Sequence, residues 1–190
     1  MSIKYNSPVI LTFALICSAV FFGDKFLAGT AMNYFSVGTS VNWTNPLSVF
    51  SLFSHVIGHG SIEHLLGNMT FILLLGPIVE EKYGSKFTLF MIVVTAFITG
   101  LLNITFFNTG LLGASGIVFM LILLVSFTNV KGGQIPLTFI LVALLFIGKE
   151  VLHSLQADQV SQFAHIIGGV CGSFFGFMGK KNKTGSIDPL

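Results

Sequence analysis

The sequence predicts an all-α, polytopic membrane protein, and three observations carry that prediction. Of its 190 residues, 53% are hydrophobic and 8% are charged, whereas an ordinary soluble domain has about 25% charged residues. Its mean hydropathy of +0.90 is strongly positive. It contains 21 Phe and 21 Gly, and glycine is tolerated inside membrane helices. So few charges cannot cover a soluble globule, and disorder would require low hydrophobicity with high charge.

Six apolar stretches are candidates for membrane spans, each of which needs about 20 residues. The fourth and fifth are short. One long connector, residues 31–60, is rich in aromatic residues, which predicts packing at the membrane interface. We therefore expect a single domain over residues 1–190 with one outer loop and six spans. The predicted spans are residues 8–27, 62–79, 87–106, 112–127, 135–150 and 162–179.

Lysine placement predicts the orientation in the membrane. With the amino terminus in the cytoplasm, seven lysines lie on the cytoplasmic side and two, Lys25 and Lys149, on the other side. This distribution follows the positive-inside rule, and both termini are then cytoplasmic. A cleavable signal peptide is the alternative for the first span, because the small residues Ala28 and Ala31 follow it.

Charge and cysteine usage argue against other classes of protein. The nine basic residues are all Lys and cluster only at 180-KKNK-183, whereas a nucleic-acid surface needs dense Lys and Arg. We therefore expect no nucleic-acid partner. Cys17 and Cys171 lie in apolar stretches, which predicts two buried free thiols rather than a disulfide.

Polar groups inside spans are costly and by default indicate function. His64 and Asn68 are four residues apart in the second span, so they share one face of that helix. Ser115 lies near the start of the fourth span, and His165 lies in the sixth. Together these residues supply a nucleophile, a potential general base and hydrogen-bond donors for an oxyanion, which are the groups that acyl transfer needs.

The sixth span also carries a track of small residues. At about 100° per residue, Gly168, Gly172 and Gly176 fall within roughly 60° of His165 around the helix axis, which predicts close helix packing. Each feature taken alone has an explanation without catalysis. The glycines would serve tight packing, a histidine would make a structural hydrogen bond, and Gly-x-Ser-Gly could occur by chance. Their occurrence together on three spans favours catalysis.

From about Phe50 to Phe177, the chain closely resembles the rhomboid intramembrane serine proteases. The family's H-x-x-x-N motif is present as His64 through Asn68, with a second histidine, His59, five residues upstream. Its G-x-S-G motif is 113-GASG-116, and its A-H-x-x-G-x-x-x-G motif is 164-AHIIGGVCG-172. The resemblance implies a bundle of six transmembrane helices of the rhomboid type.

The resemblance also implies a catalytic dyad. Ser115 would attack a peptide carbonyl, and His165 would accept its proton. Stabilisation of the oxyanion would fall to His64, Asn68 and Gly113, together with the backbone N–H of the serine. A free N–H at a helix start supports that last role.

Further supporting roles follow from the same motifs. The ring of Phe119 would pack on the catalytic histidine, where the family more usually has Tyr. Phe50 and Ser51 occupy the place of a Trp-Arg pair that often anchors the family's first loop, and the chain contains no arginine. The remaining residues with supporting roles are His59, Gly168 and Gly172.

The activity that the resemblance implies is cleavage of single-span membrane proteins within the lipid bilayer, without a cofactor. The enzyme would be a multi-pass protein of the cell (inner or plasma) membrane whose active site opens to the extracytoplasmic side. The short fifth span would be the lateral gate. The oligomeric state is left open. The alternatives are a rhomboid-like protein that binds membrane clients without cutting them, and a small transporter or channel.

The remaining polar residues give no pattern that predicts metal chemistry. The stretch 59-HGSIEH-64 is one residue too long for an H-x-x-E-H metalloprotease motif. His55 and His59 could face one metal ion, but the sequence offers no third ligand, so we expect no metal site. Glu63, Glu80 and Glu81 are interpreted as interfacial charges, with Glu80 the best candidate for a structural partner.

Overall fold

A computed structural model describes residues 4–27, 29–107, 109–126, 137–138, 140–141, 144–145 and 159–181. Within those residues the secondary structure is helical apart from one isolated β-bridge. The named helices are α1 (Pro8–Phe26), α2 (Pro46–Ser54), α3 (Ile62–Tyr83), α4 (Ser85–Phe106), α5 (Ser115–Ser126) and α6 (Gln159–Lys181), with a 3₁₀ turn at Ala31–Asn33.

Three of these helices, α1, α3 and α4, are long and apolar enough to cross a membrane. Shorter apolar helical segments cover Ser115–Ser126 and Phe163–Met178. These five elements lie on five of the six predicted spans, so the all-α membrane fold class is confirmed. The remaining predicted span, residues 135–150, lies mostly outside the described residues. The cytoplasmic location of both termini stays a prediction.

The connector of residues 31–60, called the outer loop after its predicted side of the membrane, contains a helix that was not predicted from the sequence. Pro46 occupies the first turn of α2, where its missing N–H removes no helical hydrogen bond. Asn45 caps the helix by accepting a hydrogen bond from the Leu47 N–H at 3.0 Å. The rings of Phe53 in α2 and Phe97 in α4 stack with their centroids 5.1 Å apart. The loop is therefore packed against α4.

Helices α5 and α6 pack backbone against backbone. A Cβ added at Gly168 would collide with the carbonyl oxygen of Gly116, and one added at Gly172 would lie 2.9 Å from the Cα of Met120. The predicted track of small residues is therefore a helix-packing surface. Nearby Cys171 is buried and free, as is Cys17 in α1, which confirms the prediction made for the cysteines.

The buried carboxylate of Glu80 links the starts of two helices. Its side chain is only 4% exposed. One oxygen accepts hydrogen bonds from the Val9 N–H at 3.1 Å and the Ser85 hydroxyl at 2.6 Å, and the other accepts from the Ile10 N–H at 3.0 Å. The first N–H groups of a helix have no partner within the helix and favour a negative charge. Glu80 therefore caps α1 from outside it, and the expected structural partner is confirmed.

Replacing Glu80 with Ala is expected to lower the free energy of unfolding by about 2–3 kcal/mol. The substitution leaves two backbone N–H groups at the buried start of α1 without their acceptor. The measurement is the unfolding midpoint in detergent. Glu81→Ala is the matched control, because Glu81 is the exposed next residue, and its effect should stay within about 0.5 kcal/mol. Equal losses for the two variants would contradict the capping role.

Candidate active site

The serine of the G-x-S-G motif is the first residue of α5. The predicted span began at Leu112, but the chain is still turning there, and Gly113 has a φ of 119°. This backbone conformation would strain any residue with a side chain. Because free N–H groups and the positive end of the helix dipole lie at a helix start, Ser115 is located where negative charge is stabilised.

Main-chain hydrogen bonds from the outer loop hold this turn in place. Val37 and Leu111 each donate an N–H to the other's carbonyl at 2.9 Å, and the Gly113 N–H donates to the His55 carbonyl at 2.9 Å. The buried ring of His55 donates from Nε2 to the Ala96 carbonyl in α4 at 3.0 Å. The turn that precedes the serine is therefore fixed between the loop and α4.

His64, in the first turn of α3, lies against the same turn. Ser61 caps α3 by accepting a hydrogen bond from the His64 N–H at 3.1 Å. A Cβ added at Gly113 would lie 2.7 Å from His64 Nε2. The Gly113 N–H is bonded to a loop carbonyl, and the missing side chain of Gly113 leaves space for the imidazole. Its role in stabilising an oxyanion stays a prediction.

The side-chain amide of Asn68 is oriented by His59. His59 Nδ1–H donates to the Ile57 carbonyl at 2.9 Å, so its Nε2 accepts, and it accepts from Asn68 Nδ2 at 3.0 Å. His59 is only 2% exposed, and burial lowers its pKa to about 4. The ring is therefore neutral at neutral pH. One N–H of the amide is used here, which leaves the second for another acceptor.

His165 is half-buried on α6 and lies against an aromatic ring on α5. The ring centroids of His165 and Phe119 are 4.3 Å apart, with the planes tilted by 35°. Phe119 is one helical turn after Ser115, so the serine and this ring share a face of α5. The packing of Phe119 on the histidine that the resemblance implied is therefore present.

The polar residues of the three motifs line one cavity of about 460 Å³. It lies between α3, α5 and α6, and apolar side chains of α3 and α5 complete its wall. An exposed cleft with a hydroxyl, imidazoles and an amide can bind a polar reacting group while apolar walls hold the rest of a ligand. Its lining includes His64, Asn68, Ser115, Phe119 and His165.

Part of this lining was not predicted from the sequence. Glu63, Gly67 and Phe71 also face the cavity, although Glu63 was interpreted as an interfacial charge. Their spacing of four residues, which places them on one face of α3, is the signal that could have identified them. His55 and His59, the pair considered as metal ligands, each bond a different backbone carbonyl.

Comparisons with known proteins identify the family of the chain. A family model described as the Rhomboid domain matches residues 46–182, which include the three helices that line the cavity. Rhomboid protease GlpG of Haemophilus influenzae is 26% identical over 143 residues, covering 74% of this chain and 74% of that protein. Rhomboid-related protein 1 of Caenorhabditis elegans is 33% identical over 138 residues, covering 66% of this chain and 38% of that protein. The chain therefore belongs to the rhomboid family.

Proposed function

We propose that this membrane protein is a serine endopeptidase that cleaves transmembrane segments of other membrane proteins through Ser115 and His165. Membership of the rhomboid family supports intramembrane proteolysis as the general activity. One observation carries the residue assignment: a single cavity is lined by Ser115, His165, His64 and Asn68.

In the first half of the proposed reaction, Ser115 Oγ forms a bond to the carbonyl carbon of the scissile peptide. Its proton passes to His165, and the carbonyl electron pair moves onto oxygen. The peptide C–N bond then breaks as His165 returns the proton to the leaving nitrogen. The product is an acyl-enzyme, and the packing of Phe119 against His165 limits the orientations that the base can adopt.

In the second half, water attacks the acyl carbon while His165 accepts a proton from it. The intermediate collapses, the serine oxygen leaves, and His165 returns the proton to it. Water must enter through the polar part of the cavity, since lipid supplies none. The exposed residues at the mouth of the cavity, beside the first turn of α3, provide that route.

Both halves pass through an oxyanion that needs hydrogen-bond donors. The proposed donors are the ring of His64, the second N–H of Asn68 and the backbone N–H of Ser115. Donors that are fixed before the reaction contribute most to such stabilisation. The hydrogen bond between His59 and Asn68 and the contact of His64 with Gly113 meet that condition.

We propose that the cavity opens on the extracytoplasmic side of the cell membrane. The cavity lies at the amino-terminal end of α3, whereas Lys82 and Lys86 lie at the junction of α3 with α4. Lysines concentrate on the cytoplasmic side of membrane proteins, which supports the orientation. The lateral gate at the fifth predicted span stays a prediction.

The proposed substrates are single-span membrane proteins. A substrate helix has its peptide groups hydrogen-bonded internally in lipid, so the segment to be cut must unwind first. Segments with helix-destabilising residues or a small residue at the cut should therefore be cleaved best.

The test is co-expression with a panel of such single-span proteins, together with labelling by a fluorophosphonate probe. The native chain should cleave members of the panel, and the probe should attach to Ser115. Ser126→Ala is a matched control, since it removes a serine from the other end of α5 whose hydroxyl bonds only the Ile122 carbonyl among the contacts described. Binding of panel members without cleavage or labelling would contradict the proposal and favour a non-proteolytic client-binding protein.

His59 is proposed as a positioning residue for Asn68, and two substitutions separate its hydrogen bonds. Gln can place an amide oxygen where Nε2 accepts from Asn68, whereas Asn is too short to reach that amide. We expect His59→Asn to lower kcat about ten-fold and His59→Gln to retain most of it, since a misaligned oxyanion donor costs rate.

The control for that pair is the Asn68→Ala background, in which the difference between the two His59 variants should vanish because coupled residues are not additive. Unfolding midpoints in detergent report any loss of stability separately. Equal kcat values for His59→Asn and His59→Gln in the otherwise native chain would show that His59 does not position Asn68.

A further inference from the structure

A carboxylate lies among the exposed residues that line the cavity. Glu63 is exposed, belongs to the first turn of α3 and lines the cavity directly beside His64. Among the described residues of that lining, it is the only carboxylate. The reaction proposed above gives this charge no role, because neither the dyad nor the oxyanion donors include it.

Glu63 begins a row of three residues along the face of α3. Gly67 and Phe71 follow at intervals of four residues and line the same cavity. A Cβ added at Gly67 would meet no atom within 4 Å, so the space beside the middle of the row is open. The ring of Phe71 is 46% exposed. The row therefore runs from a charge in the first turn of α3, across a gap, to an aromatic surface two turns further along the helix.

The length of the row fits a short extended peptide. Eight residues of α-helix rise about 12 Å, and an extended chain covers about 3.3 Å per residue. About four substrate residues would therefore span the row. An apolar side chain would contact Phe71, and a side chain about four residues away would reach the carboxylate.

We propose that this row is a substrate subsite in which Glu63 selects a Lys or Arg at the outer boundary of the cleaved segment. The subsite rests on the proposed function, because the chain that occupies it is the proposed peptide substrate. An exposed carboxylate attracts a nearby cation and repels a nearby anion. Substrates with an acidic residue at the same position should be disfavoured.

The described cation of this chain that lies near Glu63 is Lys25, and it does not prevent Glu63 from pairing with a substrate cation. The Glu63 carboxylate interacts most strongly with its own backbone N–H and with the Ser61 hydroxyl. Lys25 at the end of α1 acts on it electrostatically and more weakly. Its ammonium group lies 5.0 Å from the centroid of the Phe21 ring, a contact that holds it on its own helix. A substrate cation would approach Glu63 from the cavity instead.

The experiment uses three single-span substrates reconstituted in lipid nanodiscs. The substrates are identical except for one residue at the outer boundary of the segment, which is Lys, Gln or Glu and lies about four residues from an apolar residue. For the native chain we expect kcat/KM to be about three- to five-fold higher for Lys than for Glu, the upper part of the range typical of exposed ion pairs. Glu63→Gln should bring the ratio to about one, and Glu63→Lys should invert it. Raising the salt concentration should shrink the native ratio.

Glu81→Gln is the matched control, because it removes an equal charge from the same helix about 27 Å away along its axis and should keep the native ratio. Binding of the same substrates is also measured in the Ser115→Ala background, with and without Glu63→Gln, so that the subsite is tested without cleavage. Identical Lys-to-Glu ratios with Glu63 and with Gln there would overturn the subsite. Cleavage that persists without Ser115, together with a binding ratio that depends on Glu63, would overturn the proposed function and support the subsite.

Discussion

Replacing Ser115 with Ala, or His165 with Ala, is expected to lower kcat by at least about 10³-fold while the protein stays folded. The first substitution removes the atom that would form the acyl-enzyme, and the second removes the group that would take its proton. Cleavage of a reconstituted single-span substrate gives kcat, and the unfolding midpoint in detergent shows that both variants remain folded.

The double variant provides the control for this prediction. Residues that act as one unit lose almost all of their effect when either is removed. The Ser115→Ala/His165→Ala chain should therefore be no slower than the slower single variant. If the two losses of kcat multiply in the double variant, or if either single variant keeps full activity, the two residues do not form a dyad.

Replacing Gly168 with Ala is expected to lower the free energy of unfolding by about 3 kcal/mol, a large effect for one added methyl group. The new Cβ would strike the carbonyl oxygen of Gly116 on α5. Because that atom belongs to a helix backbone, it cannot rotate away, and the two helices must separate. Activity should fall as well, since His165 lies one turn before Gly168 on the same helix.

Gly23→Ala is the matched control for the packing of α6. Gly23 is also inside a membrane helix, but a Cβ added there would meet no atom within 4 Å. Alanine favours a helix over glycine by up to about 1 kcal/mol, so this variant should be neutral or slightly stabilised. Unfolding in detergent measures both substitutions. A Gly168→Ala variant as stable as the native chain would contradict the backbone contact between α5 and α6.

The helices and the motif residues on them could be predicted because their signals are local. A span requires a long apolar run, and helical periodicity places His64 and Asn68 on one face. The same periodicity placed the small residues of α6 on one side, which the contacts with Gly116 and Met120 confirm. Local patterns of this kind can be recognised in the sequence without knowledge of the rest of the fold.

The parts that escaped prediction depend on contacts between distant segments. Helix α2 is short, and its packing on α4 through Phe53 and Phe97 is not visible in the sequence of the loop. The capping of α1 by Glu80 joins residues about seventy positions apart. The orientation of the Asn68 amide depends on which nitrogen of His59 carries the proton, and the Ile57 carbonyl decides that.

The outer loop holds the serine turn through peptide groups, and this has a consequence for how the family can diverge. Two of the three hydrogen bonds join Val37 to Leu111, and the third joins His55 to Gly113. Every residue except proline offers the same N–H and C=O, so substitutions can accumulate in the loop without displacing the serine. A loop transplanted from another rhomboid would need to reproduce these three peptide contacts together with the His55 ring that bonds the Ala96 carbonyl.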